Sequence, residues 1–550
     1  MDVAAAVGQA LAALGVRDVF GVVGSGNFHV TNALVAAGAR FHAAAHEGGA
    51  ASMADGYARI SGRLGVLSVH QGPGVTNALT GVAEAAKSRT PLVVLAPEAT
   101  SPRSNFHIDL PALAASVGAE YRRVSATSAL DDVAWAAGAG RTVVLGLPLD
   151  VQAQPFAGSA VAASPAAAAR VPDVGSLVDA LAAARRPVFI AGRGAARRGE
   201  PARAALTTLA ERHGALLAVS AAARGLFAGD PWYLDVSGGF ATPLAAELIG
   251  SADLVVAWGS TLNMWTTRHG RLIPRGATVA QVDTDPDALG RHHPVDLAVA
   301  GDVVEVAQAC AVAPGPGLGP ALEAGPGLGG DAGWRTPALA ARIAAEGRWR
   351  DVPYKDLTGG GRIDPRTLST ALDDLLPAER TVVIDSGNFM GYPSMYLSVP
   401  DAAGFCFTQA FQSIGLGLAS ALGAAIARPD RLTVAALGDG GFLMSVAELT
   451  TAARLGLPLL VVVYNDAAYG AEVHHFGPHG HPLDTVTFPD TDLAAIAAGF
   501  GCAGVTVRTP SDLAAVDTWL AGARTHPLVV DAKVVSSEPS WWLEEAFRGH

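Results

Sequence analysis

Two largely apolar runs constrain the fold more than any other part of this chain: Leu432-Thr433-Val434-Ala435-Ala436-Leu437 and Leu459-Leu460-Val461-Val462-Val463-Tyr464. Neither alternates apolar with polar residues. Each therefore reads as a strand buried on both faces, the pattern of a parallel sheet covered by helices. The stretch 445–457 between them reads as the crossover helix. The first run ends at Gly438-Asp439-Gly440 and the second at Asn465-Asp466. Two acidic side chains thus leave the carboxyl ends of neighbouring strands, where open α/β sheets bind ligands. Glycines on either side of Asp439 let backbone N–H groups approach an anion closely. Hard carboxylate oxygens beside a phosphate site suit Mg²⁺. These residues alone point to a Mg²⁺–diphosphate site.

Strand-like and helix-like stretches alternate along all 550 residues, which argues three doubly wound parallel-sheet α/β domains. The first spans 1–155, with strands expected at Val19–Val23, Gly65–Val69 and Leu92–Ala96. The second spans 173–313, with strands at Pro187–Ala191, Leu254–Trp258 and Thr278–Val282. The third spans 358–550 and holds the acidic pair. An Ala/Pro-rich linker, Phe156–Pro172, and a Pro/Gly-rich stretch, Pro314–Gly333, separate them; the second reads as a flexible linker. The net charge of −12 and the lack of a basic run argue against nucleic acid. No apolar segment reaches membrane-span length without a charge or glycine, so no membrane partner is expected. The start, Met1-Asp2-Val3-Ala4, lacks the basic region of a signal peptide. Cys310, Cys406 and Cys502 are odd in number and far apart, which fits core thiols in a reducing compartment. A cytoplasmic location is the expectation.

Asp466 follows Asp439 by 27 positions, and this arrangement resembles the thiamine diphosphate signature, in which GDG is followed by a long spacer and Asn-Asn. Asp466 stands where that signature usually has asparagine. The first domain carries Ala45-His46-Glu47-Gly48-Gly49-Ala50-Ala51, Gly56-Tyr57-Ala58-Arg59 and Gly72-Pro73-Gly74-Val75-Thr76-Asn77. These stretches resemble the pyrimidine-binding domain of the acetolactate synthase, pyruvate oxidase and benzoylformate decarboxylase group. The resemblance implies a pyrimidine-binding domain, a middle Rossmann-like domain and a diphosphate-binding domain. It implies thiamine diphosphate and Mg²⁺ as cofactors, with the metal on Asp439, Asp466 and the Ala468 carbonyl. Asn77, Asn388, Gln412, Ile414, Gly440 and Gly441 are then cofactor contacts, with Ile414 bending the cofactor. Glu47 shares a proton with the aminopyrimidine ring, a positioned acid/base role for a carboxyl group. Glu47 also suits the first turn of a helix over Gly48–Ile60.

On the substrate side the resemblance points to Ser25, Asn27, His29, Gln71 and His107. It makes His70 and Glu472 proton carriers, histidine being the natural shuttle near neutral pH. The histidines His474, His475, His479 and His481 read as part of a mobile lid. Some members of the group bind FAD in the middle domain, but Gly192-Arg193-Gly194 is a weak signal, and a flavin is not expected here. The implied reaction cleaves or forms a C–C bond next to a carbonyl in a 2-oxo acid or ketone, chiefly 2-oxo acid decarboxylation followed by protonation or carboligation. Two alternatives stay open: a C–C hydrolase acting on a diketone or another specialised donor, and a non-catalytic subunit of the same fold. The resemblance further implies a homodimer or homotetramer with active sites between subunits.

Overall fold

The computed structural model describes residues 1–158, 172–313 and 334–546. The expected flexible stretch Pro314–Gly333 and most of the first linker lie outside the described residues. Three six-stranded sheets account for the strands. The first holds β1 (Asp18–Gly21), β2 (Arg40–Ala43), β3 (Gly65–Ser68), β4 (Leu92–Glu98), β5 (Glu120–Arg123) and β6 (Thr142–Pro148). The second holds β7 (Pro187–Ala191), β8 (Leu216–Val219), β9 (Tyr233–Val236), β10 (Leu254–Trp258), β11 (Thr278–Asp283) and β12 (Leu297–Ala300). The third holds β13 (Arg380–Ile384), β14 (Phe405–Phe407), β15 (Leu432–Gly438), β16 (Leu459–Asn465), β17 (Ala503–Val507) and β18 (Leu528–Lys533).

Every paired strand is parallel to its neighbour. The first and third sheets share one topology, β2-β1-β3-β4-β6-β5 and β14-β13-β15-β16-β18-β17. The middle sheet, β9-β8-β7-β10-β11-β12, has the 3-2-1-4-5-6 order of dinucleotide folds. The unbroken apolar runs explain the layering. All residues of β4, β6, β7, β10, β16 and β18 are buried. Edge strands β2, β5, β12 and β17 are partly exposed, as a strand with one free side tolerates.

The first and third domains share one core. The helix Glu47–Ser61 lies against the helix Gly417–Ala427, and residues of both sheets join a single apolar cluster around them. Glycines permit this approach: a Cβ on Gly56 would overlap the carbonyl oxygen of Ser420, and one on Gly423 would overlap that of Met53.

The expected crossover helix over 445–457 is instead two helices, Asp439–Ser445 and Glu448–Arg454. Ser445 Oγ donates back to the Gly441 carbonyl, and Leu449 and Thr450 donate to Val446 and Ala447 three residues earlier. Such bonds bend a helix and tighten its turn. A further helix, Pro337–Glu346, which no sequence pattern had suggested, returns to the middle domain through Ile343 and an Arg342–Glu247 ion pair. Among the described residues no helix is long and apolar enough to cross a membrane.

Candidate active site

The third sheet delivers its acids as the sequence suggested. β15 and β16 are neighbours, with Gly438 opposite Tyr464. Asp439 opens the next helix, and Asp466 follows the last residue of β16. The turn after β16 is braced from below. Asn465 Nδ2 donates to Asp531 Oδ1 at 2.8 Å, and Asn465 Oδ1 accepts the Ala467 N–H at 3.1 Å. Ala467 sits at φ +59. Lys533, itself buried, pairs with Asp531 at 3.0 Å and with Asp490 at 2.6 Å.

Burial raises the proton affinity of both Asp439 and Asp466, and repulsion from Asp439 raises that of Asp466 further. Neither forms an ion pair with another described residue. No cluster of three or more His, Cys, Asp or Glu side chains among the described residues is arranged to hold a metal. A buried carboxylate beside a half-buried one fits a hard ion such as Mg²⁺, which completes its shell with a carbonyl and with oxygens of a bound phosphate. Ala468 supplies the nearby carbonyl candidate.

Asp439, Asp466 and Ala468 line a cavity of about 1540 Å³ together with Asn388, Gln412, Ile414, Gly440, Gly441 and Glu472. The cavity runs on to Arg193, Gly259 and Ser260 at the carboxyl ends of β7 and β10. Gln412 is held at φ +62. A non-glycine residue there costs on the order of 1 kcal/mol and persists only where its surroundings dictate it. Asp385, wholly buried, is one such support: its carboxylate accepts the N–H groups of Ser386, Gly415 and Leu416 at 2.9–3.2 Å. Burial lifts Asp385 to about 6, and the N–H groups only partly oppose it. Sequence reading missed Asp385, although an acid directly after the run Thr381–Ile384 is the same signal that marks Asp439. Asn388 is buried. Its Oδ1 accepts the Ser540 N–H and its carbonyl accepts Trp542 Nε1. Of its amide only Nδ2 makes no hydrogen bond to a described residue.

The first sheet builds a second cluster. His46 caps the helix Glu47–Ser61 by accepting the Gly48 N–H at 3.0 Å, so Glu47 is the first helical residue. Asn77 Nδ2 donates to Glu47 Oε2 at 3.0 Å. A Cβ on Gly74 would lie 3.1 Å from His70 Cβ and 3.4 Å from Glu47 Oε1, so this glycine lets the two side chains approach. His70 Nδ1 accepts the Gly26 N–H at 3.2 Å, which places the proton of the neutral ring on Nε2. The ring also meets Phe106 edge-on, with centroids 5.4 Å apart. Gln71 is buried beside Gly26, and its Oε1 has no hydrogen-bond partner among the described residues.

Ser25, His29 and His107 are exposed. Asn27 departs from the expectation of a substrate contact. It is fully buried, and its amide is used inside the loop, accepting the Gly24 N–H and donating to the Val22 carbonyl and Ser68 Oγ. It orders the loop that carries Ser25 and His29.

Glu47, His70, Gln71 and Asn77 do not line the cavity that holds Asp439. One chain thus presents two separate half-sites. They are tied by carboxylates that sequence reading also missed. Glu448 of the third domain accepts the N–H groups of Ala45 and His46 at 3.2 and 3.1 Å, just ahead of Glu47.

Comparisons with known proteins agree with this geometry. Residues 1–116 match the thiamine pyrophosphate enzyme N-terminal TPP binding domain, residues 174–310 the central domain, and residues 385–532 the C-terminal TPP binding domain. The chain is 31% identical over 535 residues to a probable 2-ketoarginine decarboxylase of Pseudomonas aeruginosa, covering 92% of this chain and 89% of that one. It is 30% identical over 499 residues to a sulfoacetaldehyde acetyltransferase of Alcaligenes xylosoxydans xylosoxydans, covering 83% of this chain and 80% of the relative. It is 28% identical over 529 residues to a catabolic acetolactate synthase of Raoultella terrigena, covering 92% and 90%. With three matched domains in order and both half-sites built at strand ends, the chain belongs to the thiamine pyrophosphate enzyme family.

Proposed function

We propose that the protein decarboxylates a 2-oxo acid with thiamine diphosphate and Mg²⁺, and that its sites form between two copies of the chain. The observation that carries this reading is Glu472, an acidic proton donor that shares one cavity with Asp439, Asp466 and Ile414. When bound, the cofactor supplies carbanion stabilisation next to a carbonyl. Asp439, Asp466 and the Ala468 carbonyl hold the metal. Ile414, on the loop clamped by Asp385, would bend the bound cofactor. Glu47, fixed by Asn77, would hold the aminopyrimidine ring and exchange a proton with it. His70 presents Nε2–H to the substrate. Glu472 would supply a proton at the reacting end of this cavity, a role that would favour aldehyde release over addition to a second carbonyl compound.

Two half-sites that one chain keeps apart support a homodimer, or a dimer of dimers, in which Glu47 of one copy completes the Asp439 cavity of the other. The test is NMR of the protein with Mg²⁺, thiamine diphosphate and a panel of 2-oxo acids: pyruvate, benzoylformate and a guanidino 2-oxo acid. The reading expects an aldehyde that forms only with metal and cofactor present. Hydroxyketone in its place would move the assignment to carboligation. No product across the panel, with cofactor bound, would overturn 2-oxo acid decarboxylation.

A further inference from the structure

We infer that Glu84 is a positioning residue for the cofactor-bending loop, reaching it from another domain of the same chain. The inference rests on the proposed role of Gln412 and Ile414 at the cofactor. Glu84 lies on the helix Pro73–Lys87 of the first domain and is 1% exposed. Its Oε1 accepts the Ala410 N–H at 3.1 Å and its Oε2 accepts the Phe411 N–H at 2.6 Å, both in the third domain. Arg59 Nη2 pairs with Glu84 Oε1 at 2.7 Å and also with Asp55, while Arg59 Nη1 donates to the Phe407 carbonyl at 2.9 Å. Lys87, one turn on from Glu84, lies over the Phe411 ring.

Burial on its own would favour protonated Glu84, but Arg59 and the two loop amides outweigh it and keep the group ionised. Hydrogen bonds to an ionised acceptor are about twice as strong as neutral ones. The loop is therefore gripped at both ends by buried carboxylates. Glu84 takes the amides of residues 410 and 411, and Asp385 takes those of 415 and 416. Only residues 412–414 stand between the grips, and they include the left-handed Gln412 and the wedge Ile414. A tie made only to join two domains could end on any surface residues. This one ends on the two amides directly ahead of the strained residue.

The experiment compares wild type, Glu84→Gln and Glu84→Asp as full chains loaded with Mg²⁺ and thiamine diphosphate. It reads deuterium exchange at the thiazolium C2 of bound cofactor by quenched NMR, cofactor affinity by tryptophan fluorescence, and thermal unfolding. Glutamine turns an N–H donor toward the loop amides. Aspartate keeps the charge facing Arg59 but withdraws it from Ala410 and Phe411. Both variants are expected to slow C2 exchange by about ten- to a hundredfold at saturating cofactor, the scale of a small misplacement, with a much smaller change in affinity. If the glutamine variant fails to fold, the aspartate variant decides. Wild-type exchange rates in saturated, folded variants would overturn this inference alone. A wild-type protein that does not speed exchange in bound cofactor would overturn the cofactor reading, and this inference with it.

Discussion

Asn77 donates its side-chain amide to Glu47 Oε2 at 3.0 Å, joining the N-terminal ends of the helices Pro73–Lys87 and Glu47–Ser61 of the first domain. The bond occupies Oε2, so in the proposed function Oε1 is the oxygen left for the cofactor. Glu47→Gln should lower turnover by about 10²- to 10⁴-fold, the usual loss for a positioned acid/base. Cofactor affinity should be largely kept, because the diphosphate half-site lies in the other domain. Asn77→Ala removes one hydrogen bond to a charged group, and a tenfold loss of kcat/KM is expected, about 1.4 kcal/mol. Steady-state kinetics with parallel cofactor titration check both.

Asp466, half-buried, stands beside the buried Asp439, and both carboxyls hold protons more tightly than in an unfolded chain. A raised folded-state value means that this pair's contribution to the stability of metal-free protein is fully present at low pH and is lost as pH rises above about 4, until both groups ionise. Thermal melts in chelator from about pH 4 to about pH 8 should show this fall, and Asp466→Asn should flatten it. Because metal binding expels the shared protons, the apparent Mg²⁺ affinity of wild type should climb over the same range. The asparagine variant should show a weaker climb.

The helix pair that joins the first and third domains has no room for side chains at Gly56 and Gly423. Gly56→Ala or Gly423→Ala would push the helices apart, at a cost of about 3 kcal/mol. A lowered Tm together with weakened cofactor binding is the expected result. An unchanged Tm would contradict the close packing.

Much of this architecture is written locally, and the rest is not. Asp439 and Asp466 are legible because each comes one residue after a largely apolar run, and both runs are buried parallel strands. Glu47 is legible from its place at the start of a helix rich in small residues. Glu84 and Glu448 are not, since their partners lie 326 to 403 positions away and no local period reports a remote amide. Asn27 shows the opposite failure. A polar residue in a loop reads as exposed, yet its amide satisfies buried loop groups and lies wholly inside. The broken crossover after Asp439 depends on Ser445 and on tight backbone turns that no periodicity specifies.

Glu472 lines the cavity that holds Asp439, while His70 sits apart from it beside Gly26. Glu472→Gln should lower aldehyde formation by about 10²-fold, with cofactor binding intact. A shift of product toward hydroxyketone would fit the same role, since an unprotonated carbon remains open to a second carbonyl compound. His70→Gln keeps an acceptor for the Gly26 N–H and an N–H donor but cannot pass a proton on, and turnover should fall by about 10²-fold with cofactor affinity kept.

The most direct test of the account mixes two inactive variants, Glu47→Gln and Asp439→Asn, and measures turnover after subunit exchange. If each site takes Glu47 from one copy and Asp439 from the other, half of the mixed dimers' sites are wild type, and activity should return to about a quarter of the wild-type value. A mixture as inactive as its components, with hybrid dimers shown to form, would contradict a site shared between two chains.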